Sequence, residues 1–224
     1  MHFLMIGGSG RTGQLIIEEA LRRGHQVTAL VRTSASLEAR DNLTIVEGTP
    51  LNTSDIGRAF NATLESRPTA VVVALNARRT SDSPFSAPSP DTPPRLMADS
   101  VANVISVMKK YGTHKIIINS SMGTGSSIEG LGALVRPVFA YTNMKFQMID
   151  HNAVDEETRA AGVNFVLVRP VMLSEGAASE VKVYSEDGKG AGCKKITRKS
   201  VARFMVVEAL EGDKYDGRAP VISN

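Results

Sequence analysis

The sequence predicts an α/β chain folded as one domain around a doubly wound, mostly parallel sheet. Three observations carry this. Apolar runs of strand length alternate with amphipathic stretches of helix length along the chain. One run, AVVVAL at residues 70–75, is apolar without interruption, as a parallel strand covered on both faces should be. No repeat and no linker divides the 224 residues, a length that suits one domain. Right-handed crossovers in such an alternation place helices on both faces of the sheet.

The elements follow in order. FLMIG (residues 3–7) is the first strand. It leads through glycines to GQLIIEEALRRG, where Leu15, Ile16, Ala20 and Leu21 share a helical face and Gly24 stands at the C-terminal cap. QVTALVR (26–32) and LTIVEG (43–48) read as strands, and SDIGRAFNATLES (54–66) as a helix with Ser54 as candidate N-cap. After the strand at 70–75 the pattern stops. Residues 81–94, SDSPFSAPSPDTPP, are too rich in proline and serine for a regular element, and form either a surface loop or a lid over a site. Helix returns in RLMADSVANVISVMKKYG and ends at Gly112. Strand KIIINS (115–120), a long helix from about 141 to 161 and strand NFVLVRP (164–170) come next. EVKVYSEDGKGAGCKKIT reads as a strand and a glycine-rich turn, RKSVARFMVVEALEG as a helix, and RAPVIS as a last strand. Residues from about 171 to 224 are expected to form a small substrate-side region of the same domain.

Composition narrows the function classes. With 26 Lys and Arg against 23 Asp and Glu, the net charge is +3, spread along the chain rather than massed as in a nucleic-acid binder. The one dense stretch, KKITRK at 194–199, reads as a solvated loop face, the alternative being an anion contact. The single cysteine, Cys193, excludes an internal disulfide and a thiolate zinc cluster. His2, His25, His114 and His151 show no metal-ligand spacing and read as surface or packing residues, so no metal is expected. Asp150, Asp155, Glu156 and Glu157 read as the solvated face of the long helix. No stretch is long enough to span a bilayer, and the first apolar run starts at Phe3, leaving no room for a leader. The expectation is a cytoplasmic protein, monomer or weak homodimer, with a small-molecule substrate and neither nucleic acid nor membrane as partner.

The chemistry sits in Gly7-Gly8-Ser9-Gly10-Arg11-Thr12-Gly13, between an apolar strand and an amphipathic helix. That context is what a dinucleotide-binding loop requires. Gly7 permits the tight turn, Gly10 lets the backbone approach a pyrophosphate, and Gly13 lets the helix pack against the strand. The helix N-terminus then offers N–H groups to the anion. A plain strand–helix turn needs one glycine, not four. An NAD-specific site places a carboxylate at the end of the second strand. Here that strand ends LVRTSAS, with Arg32 and no acid before Glu38. A permanently charged, bidentate guanidinium suits a 2′-phosphate. Arg11 could approach the same phosphate, and Thr33 and Ser34 could donate to it. NADP(H) is the expected cofactor. Leu75 and Asn76, ending the strand at 70–75, are expected beside it.

IGGSGRTG, VTALVRTSASL, INSSMGTG, VLVRP and KYDGRAPVIS, in this order, resemble the atypical short-chain dehydrogenase/reductase superfamily with its Rossmann fold. The resemblance covers essentially the whole chain. It is strongest to the NmrA-like branch and to the flavin reductase/biliverdin-IXβ reductase branch. It implies that Ser121, with Ser120 beside it, faces the nicotinamide, and that Pro170, Val171 and Leu173 contact the carboxamide. The superfamily's Tyr-x-x-x-Lys appears as Tyr141 to Lys145, whose four-residue spacing shares one face of a helix. On that reading Tyr141 donates a proton, Lys145 lowers its pKa and holds the ribose, and Ser121 orients the acceptor oxygen. In the flavin-reductase branch no such tyrosine is needed, so Tyr141 could instead be a pocket wall and Lys145 a ribose ligand only. Two departures stand out. Thr49 and Pro50 replace an acidic residue near the adenine, and Ser200 stands where relatives open the last helix with aspartate. Arg78 and Arg79, which precede the Ser/Pro loop, could attract an anionic substrate or lie on the surface.

The expected function is an NADPH-dependent reductase of a small carbonyl, flavin or conjugated substrate. Alternatives are a non-catalytic NADP(H) sensor and a non-redox isomerase or dehydratase.

Overall fold

In the computed structural model, which describes residues 1–63, 66–81, 83–132 and 135–224, strand β1 (His2–Ile6) is buried along its whole length. Its side chains alternate between two cores. Phe3 and Met5 pack with Ile16, Ile17 and Val206 on one face, and Leu4 and Ile6 with Ile56, Phe60 and Met108 on the other. The period-2 alternation of a strand between two helical layers produces this division.

β1 runs through the glycine loop into α1 (Arg11–Arg22), which Gly24, at φ +78°, terminates. Then come β2 (Gln26–Val31), β3 (Leu43–Glu47), α2 (Thr53–Phe60) and β4 (Ala70–Val73). The expected helix over 54–66 is shorter. Asn52, not Ser54, caps α2 by accepting from the Ser54 N–H at 2.9 Å. Leu64 and Glu65 lie outside the described residues, as does Asp82 of the Ser/Pro loop.

α3 (Leu96–Tyr111) ends at Gly112, as expected, and β5 (Lys115–Asn119) follows. The long helix expected from 141 is divided into α4 (Arg136–Tyr141) and α5 (Met144–Ala160). Thr142 makes the break. Its hydroxyl donates to Val138 O at 2.6 Å and accepts from Met144 N–H at 3.3 Å, a side chain competing with the helix ladder.

β6 (Asn164–Pro170), β7 (Met172–Ser174), β8 (Lys182–Tyr184), β9 (Lys195–Thr197), α6 (Arg198–Phe204) and β10 (Val221–Ser223) complete the chain. Thr197, not Ser200, caps α6, accepting from Ser200 N–H. The helix continues as a π-helical turn, Met205–Leu210. The main sheet runs β3-β2-β1-β4-β5-β6-β10-β8, and β7 pairs with β9 apart from it. Every pairing is parallel except β10 with β8, which gives a single-domain Rossmann fold. The strand order reverses between β1 and β4, and in such sheets ligands bind outside the carboxyl ends of the strands at that point.

The acidic residues of α5 are not one solvated face. Asp150, 4% exposed, accepts from Met97 N–H and Ala98 N–H at 2.9 Å each, and so caps α3 from outside that helix. Asp155 pairs with the fully buried Arg169 at 2.8 Å. Arg169 also donates to Glu186 O and Ser126 Oγ, which ties β6 and α5 to the turn Gly125–Gly130.

Candidate functional site

A cleft of about 500 Å³ opens at the carboxyl ends of β1, β2, β4, β5 and β6. The glycine loop forms its floor. Gly7 has φ +83°, and a Cβ there would meet Ala74 O at 2.6 Å, so the backbones of β1 and β4 touch at this point. A Cβ on Gly13 would stand 2.2 Å from Gly7 O, so the first turn of α1 packs directly on the loop. Gly8 is buried beneath the loop. α1 opens at Gly10 with no side-chain cap and no acid in its first turn. Its first N–H groups and positive dipole end are left for an anion. This cradle, where added Cβ atoms would collide, fits a pyrophosphate.

The expected cofactor residues converge here. Ser9, Gly10, Arg11 and Thr12 line the cleft beside Gly7. Arg32 lines it from the end of β2, whose own sequence carries no carboxylate there; Glu47, at the end of the neighbouring β3, accepts from Ser34 N–H at 3.0 Å. Thr49 and Pro50 line it from the end of β3. Leu75 and Asn76 follow β4, Ser120 and Ser121 follow β5, and Pro170, Val171 and Leu173 come from β6 and β7. Ser121 Oγ donates to Met122 O at 3.1 Å.

Tyr141 and Lys145 are not brought together with them. The break at Thr142 puts them on different helices, so the shared helical face behind their expected pairing does not exist. Tyr141 is 86% exposed, and neither residue lines the cleft. Lys145 is exposed, its ammonium 5.2 Å from the Phe146 ring.

The four-residue spacing does face the cleft, one step further on. Gln147 and His151, a turn apart on α5, both line it, and sequence reading missed both as site residues. Their signal was the same spacing, legible only once the start of α5 at Met144 is known. His151 is 4% exposed, and burial pushes its pKa down to about 4, so the ring is neutral at physiological pH. Gln147 Nε2 donates to Asn76 Oδ1. Asn119 also lines the cleft, its Oδ1 buried without a hydrogen-bond partner among the described residues.

The Ser/Pro loop borders the same space. Thr80 N–H donates to Ala87 O and Ser89 N–H to Arg78 O, closing a hairpin-like turn without regular strands. Arg78, Ser89, Asp91, Thr92 and Pro93 line the cleft. Arg198, at the start of α6, reaches it too and pairs with Glu175, which also lies 3.8 Å from Arg11. Among the described residues no group of three or more His, Cys, Asp or Glu could hold a metal ion, and no helix is long and apolar enough to cross a membrane.

The sequence pattern of the NAD(P)H-binding family matches residues 7–211, nearly the whole chain. The chain belongs to that family. A nicotinamide dinucleotide is the ligand family members share, and the glycine cradle is where this member would hold it. The chain is 17% identical over 235 residues to the chloroplastic divinyl chlorophyllide a 8-vinyl-reductase of Arabidopsis thaliana, covering 99% of itself and 53% of that protein. It thus spans about half the length of that relative. A stretch of 37 residues, 16% of this chain and 17% of the other, is 46% identical to YwnB of Bacillus subtilis. Among solved structures it resembles a short-chain dehydrogenase/reductase of Veillonella parvula in complex with NADP (TM-score 0.78, 12% identity, 100% and 94% of the two chains). It also resembles the anaerobilin reductase ChuY of Escherichia coli O157:H7 (TM-score 0.74, 16% identity, 100% and 97%). A putative NAD-dependent epimerase/dehydratase of Bacillus halodurans is similar as well (TM-score 0.74, 23% identity, 100% and 94%). These likenesses are to the family's fold.

Proposed function

We propose that this protein is an NADPH-dependent reductase of a small carbonyl, flavin or conjugated substrate. The observation that carries the reading is one continuous cleft joining an anion-ready glycine loop to Ser121. The reductase and NADP-bound proteins among its relatives support it.

The preference for NADPH rests on Arg32, which has no ion pair among the described residues and faces the cleft where an NAD site would place an acid. Gly7, Ser9, Gly10, Thr12 and the N-terminus of α1 would hold the pyrophosphate, and Arg32 with Arg11 the 2′-phosphate. Ser120, Pro170, Val171 and Leu173 would flank the nicotinamide half. When bound, the dinucleotide supplies a hydride. Ser121 would orient the acceptor, exchanging its long bond to Met122 O for one to the substrate. The loop of residues 81–94 would keep water from the reacting end. With Tyr141 and Lys145 outside the cleft, positioning by the cofactor and Ser121 replaces the tyrosine proton donor as the favoured mechanism.

The test is NADPH oxidation by the purified protein across quinones, flavins and aldehydes. Turnover of at least one acceptor is expected, and Ser121→Ala should lower its kcat about a hundredfold, the low end of a transition-state hydrogen bond's contribution. Tight NADPH binding with no acceptor reduced would sink the enzyme reading and leave the sensor.

A further inference from the structure

His151 presents a chemical problem that the proposed reaction does not resolve. Its ring is 4% exposed, lines the cleft, and makes no hydrogen bond to any described residue. Its nitrogens are not sealed inside the protein, so what they can pair with lies in the cleft itself. Asn119 Oδ1, on the same lining, is a fully buried acceptor without a partner among the described residues, and leaving such a group unpaired costs about 1–3 kcal/mol. The natural partner of the ring is something that enters the cleft.

The neighbouring groups describe that partner. Held neutral by burial, His151 offers one N–H donor and one acceptor nitrogen. One turn earlier, the bond from Gln147 Nε2 to Asn76 Oδ1 uses one donor and one acceptor. It leaves Gln147 Oε1 to accept and Asn76 Nδ2 to donate. Asn119 Oδ1 adds a buried acceptor without a partner among the described residues. Asp150, adjacent to His151, is committed to the N–H groups of Met97 and Ala98. The charged lining residues are Arg11, Arg32 and Arg198 on the glycine-loop and α6 side, and Arg78 with Asp91 on the Ser/Pro-loop side.

We propose that Gln147 and His151 are the specificity-determining residues of the cleft, and that they read an uncharged substrate edge carrying both a donor and an acceptor, as in an imide or a lactam. The proposal takes the occupant to be the acceptor of the reductase reading and rests on that reading for this point. A ligand with acceptors only would leave the bare imidazole nitrogen and the carboxamide oxygens of Gln147 and Asn119 without a donor. The carboxamide of the dinucleotide has the same chemistry, so the experiment must separate the two sources.

Lumichrome, whose ring carries an imide edge and no charge, is the probe, and its N3-methyl derivative lacks the imide donor. Both are titrated by fluorescence quenching against the full-length protein saturated with NADP+. Wild type should bind lumichrome about tenfold more tightly than the methylated compound, the size of one hydrogen bond between uncharged groups. His151→Leu and Gln147→Leu should each shrink that preference. His151→Asn, which keeps a neutral donor and acceptor, should restore part of it. Direct NADPH titration of the same variants should change by no more than about twofold, less than one lost hydrogen bond. No preference in wild type, or an undiminished one in both leucine variants, overturns the proposal. So does a loss of NADPH affinity with lumichrome binding intact, which would assign the pair to the dinucleotide. Thermal melts identify a variant that fails to fold, and Gln147→Leu and His151→Asn then carry the test. The two readings fail separately. Lumichrome discrimination without NADPH turnover sinks the reductase, and turnover without discrimination sinks the substrate-reading pair.

Discussion

At its glycine-loop end the cleft is made of backbone, and at its Ser121 end it is made of side chains. The first end comes from one strand–turn–helix unit plus Arg32, and its shape depends on missing Cβ atoms at Gly7 and Gly13. The second draws Asn76 from the end of β4, Asn119 and Ser121 from β5 and its exit, and Gln147 and His151 from α5. A backbone cradle recognises what all its ligands share, a phosphate bridge. A side-chain lining can be exchanged residue by residue, so it is where relatives on one fold can diverge.

The sharpest way to break this contrast is Gly13→Val. With a Cβ position 2.2 Å from Gly7 O, the loop and α1 cannot keep their spacing, and dinucleotide binding should vanish in a fluorescence titration. Retained affinity would mean that the cradle is not the site.

Away from the cleft lining, Asp155→Ala strands Arg169, which is 0% exposed, and should cost about 3–5 kcal/mol in urea unfolding. A smaller loss would show that the turn Gly125–Gly130 does not depend on that pair.

His151 makes the reacting end sensitive to acid. Its folded pKa, about 4, lies below its ordinary 6.5, so below pH 6.5 the unfolded chain binds more protons than the folded one. Stability should fall as pH drops from 6.5 toward 4, by on the order of 3 kcal/mol from this group, and His151→Gln should flatten that part of the curve. His2, also held below its ordinary range by burial, adds a slope of the same sign that the variant leaves in place.

Arg32→Ala should weaken NADPH by about 1–3 kcal/mol and leave NADH nearly unchanged. Equal losses for both cofactors would remove the 2′-phosphate from this arginine. The smallest effect should come from Tyr141→Phe, with turnover of the best acceptor unchanged. A large fall in kcat would return the tyrosine to the chemistry and require it to enter the cleft.

The two ends also differed in how far the sequence disclosed them. Seven consecutive residues and the end of the next strand define the phosphate cradle, and local contacts of this kind leave a local pattern. The alternation of apolar runs likewise disclosed the sheet and most of its strands. The reacting end joins residues far apart in the chain, and its best signal was ambiguous. Tyr141/Lys145 and Gln147/His151 both stand four apart. Only the start of α5 separates them, and that start is set by the Thr142 hydroxyl, which bonds to the backbone on both sides of the break. The acids of α5 misled for a related reason. A buried cap such as Asp150 or a buried pair such as Asp155–Arg169 has the same composition as a solvated face, and only the partners distinguish them.

Asp150 and His151 are adjacent on α5, yet one anchors the start of α3 and the other faces the cleft. Removing or adding one residue between Gln147 and Asp150 would turn the upstream part of the helix by about 100° relative to that anchor. Gln147 would then leave the cleft while His151 stayed. If the pair reads the substrate as proposed, point changes at 147 and 151 would alter the reactant and leave the glycine cradle intact. Insertions and deletions between Gln147 and Asp150 should then be rare among descendants in which the pair keeps its place, which makes the spacing from 147 to 151 a ruler for telling true counterparts from chains that share only the fold.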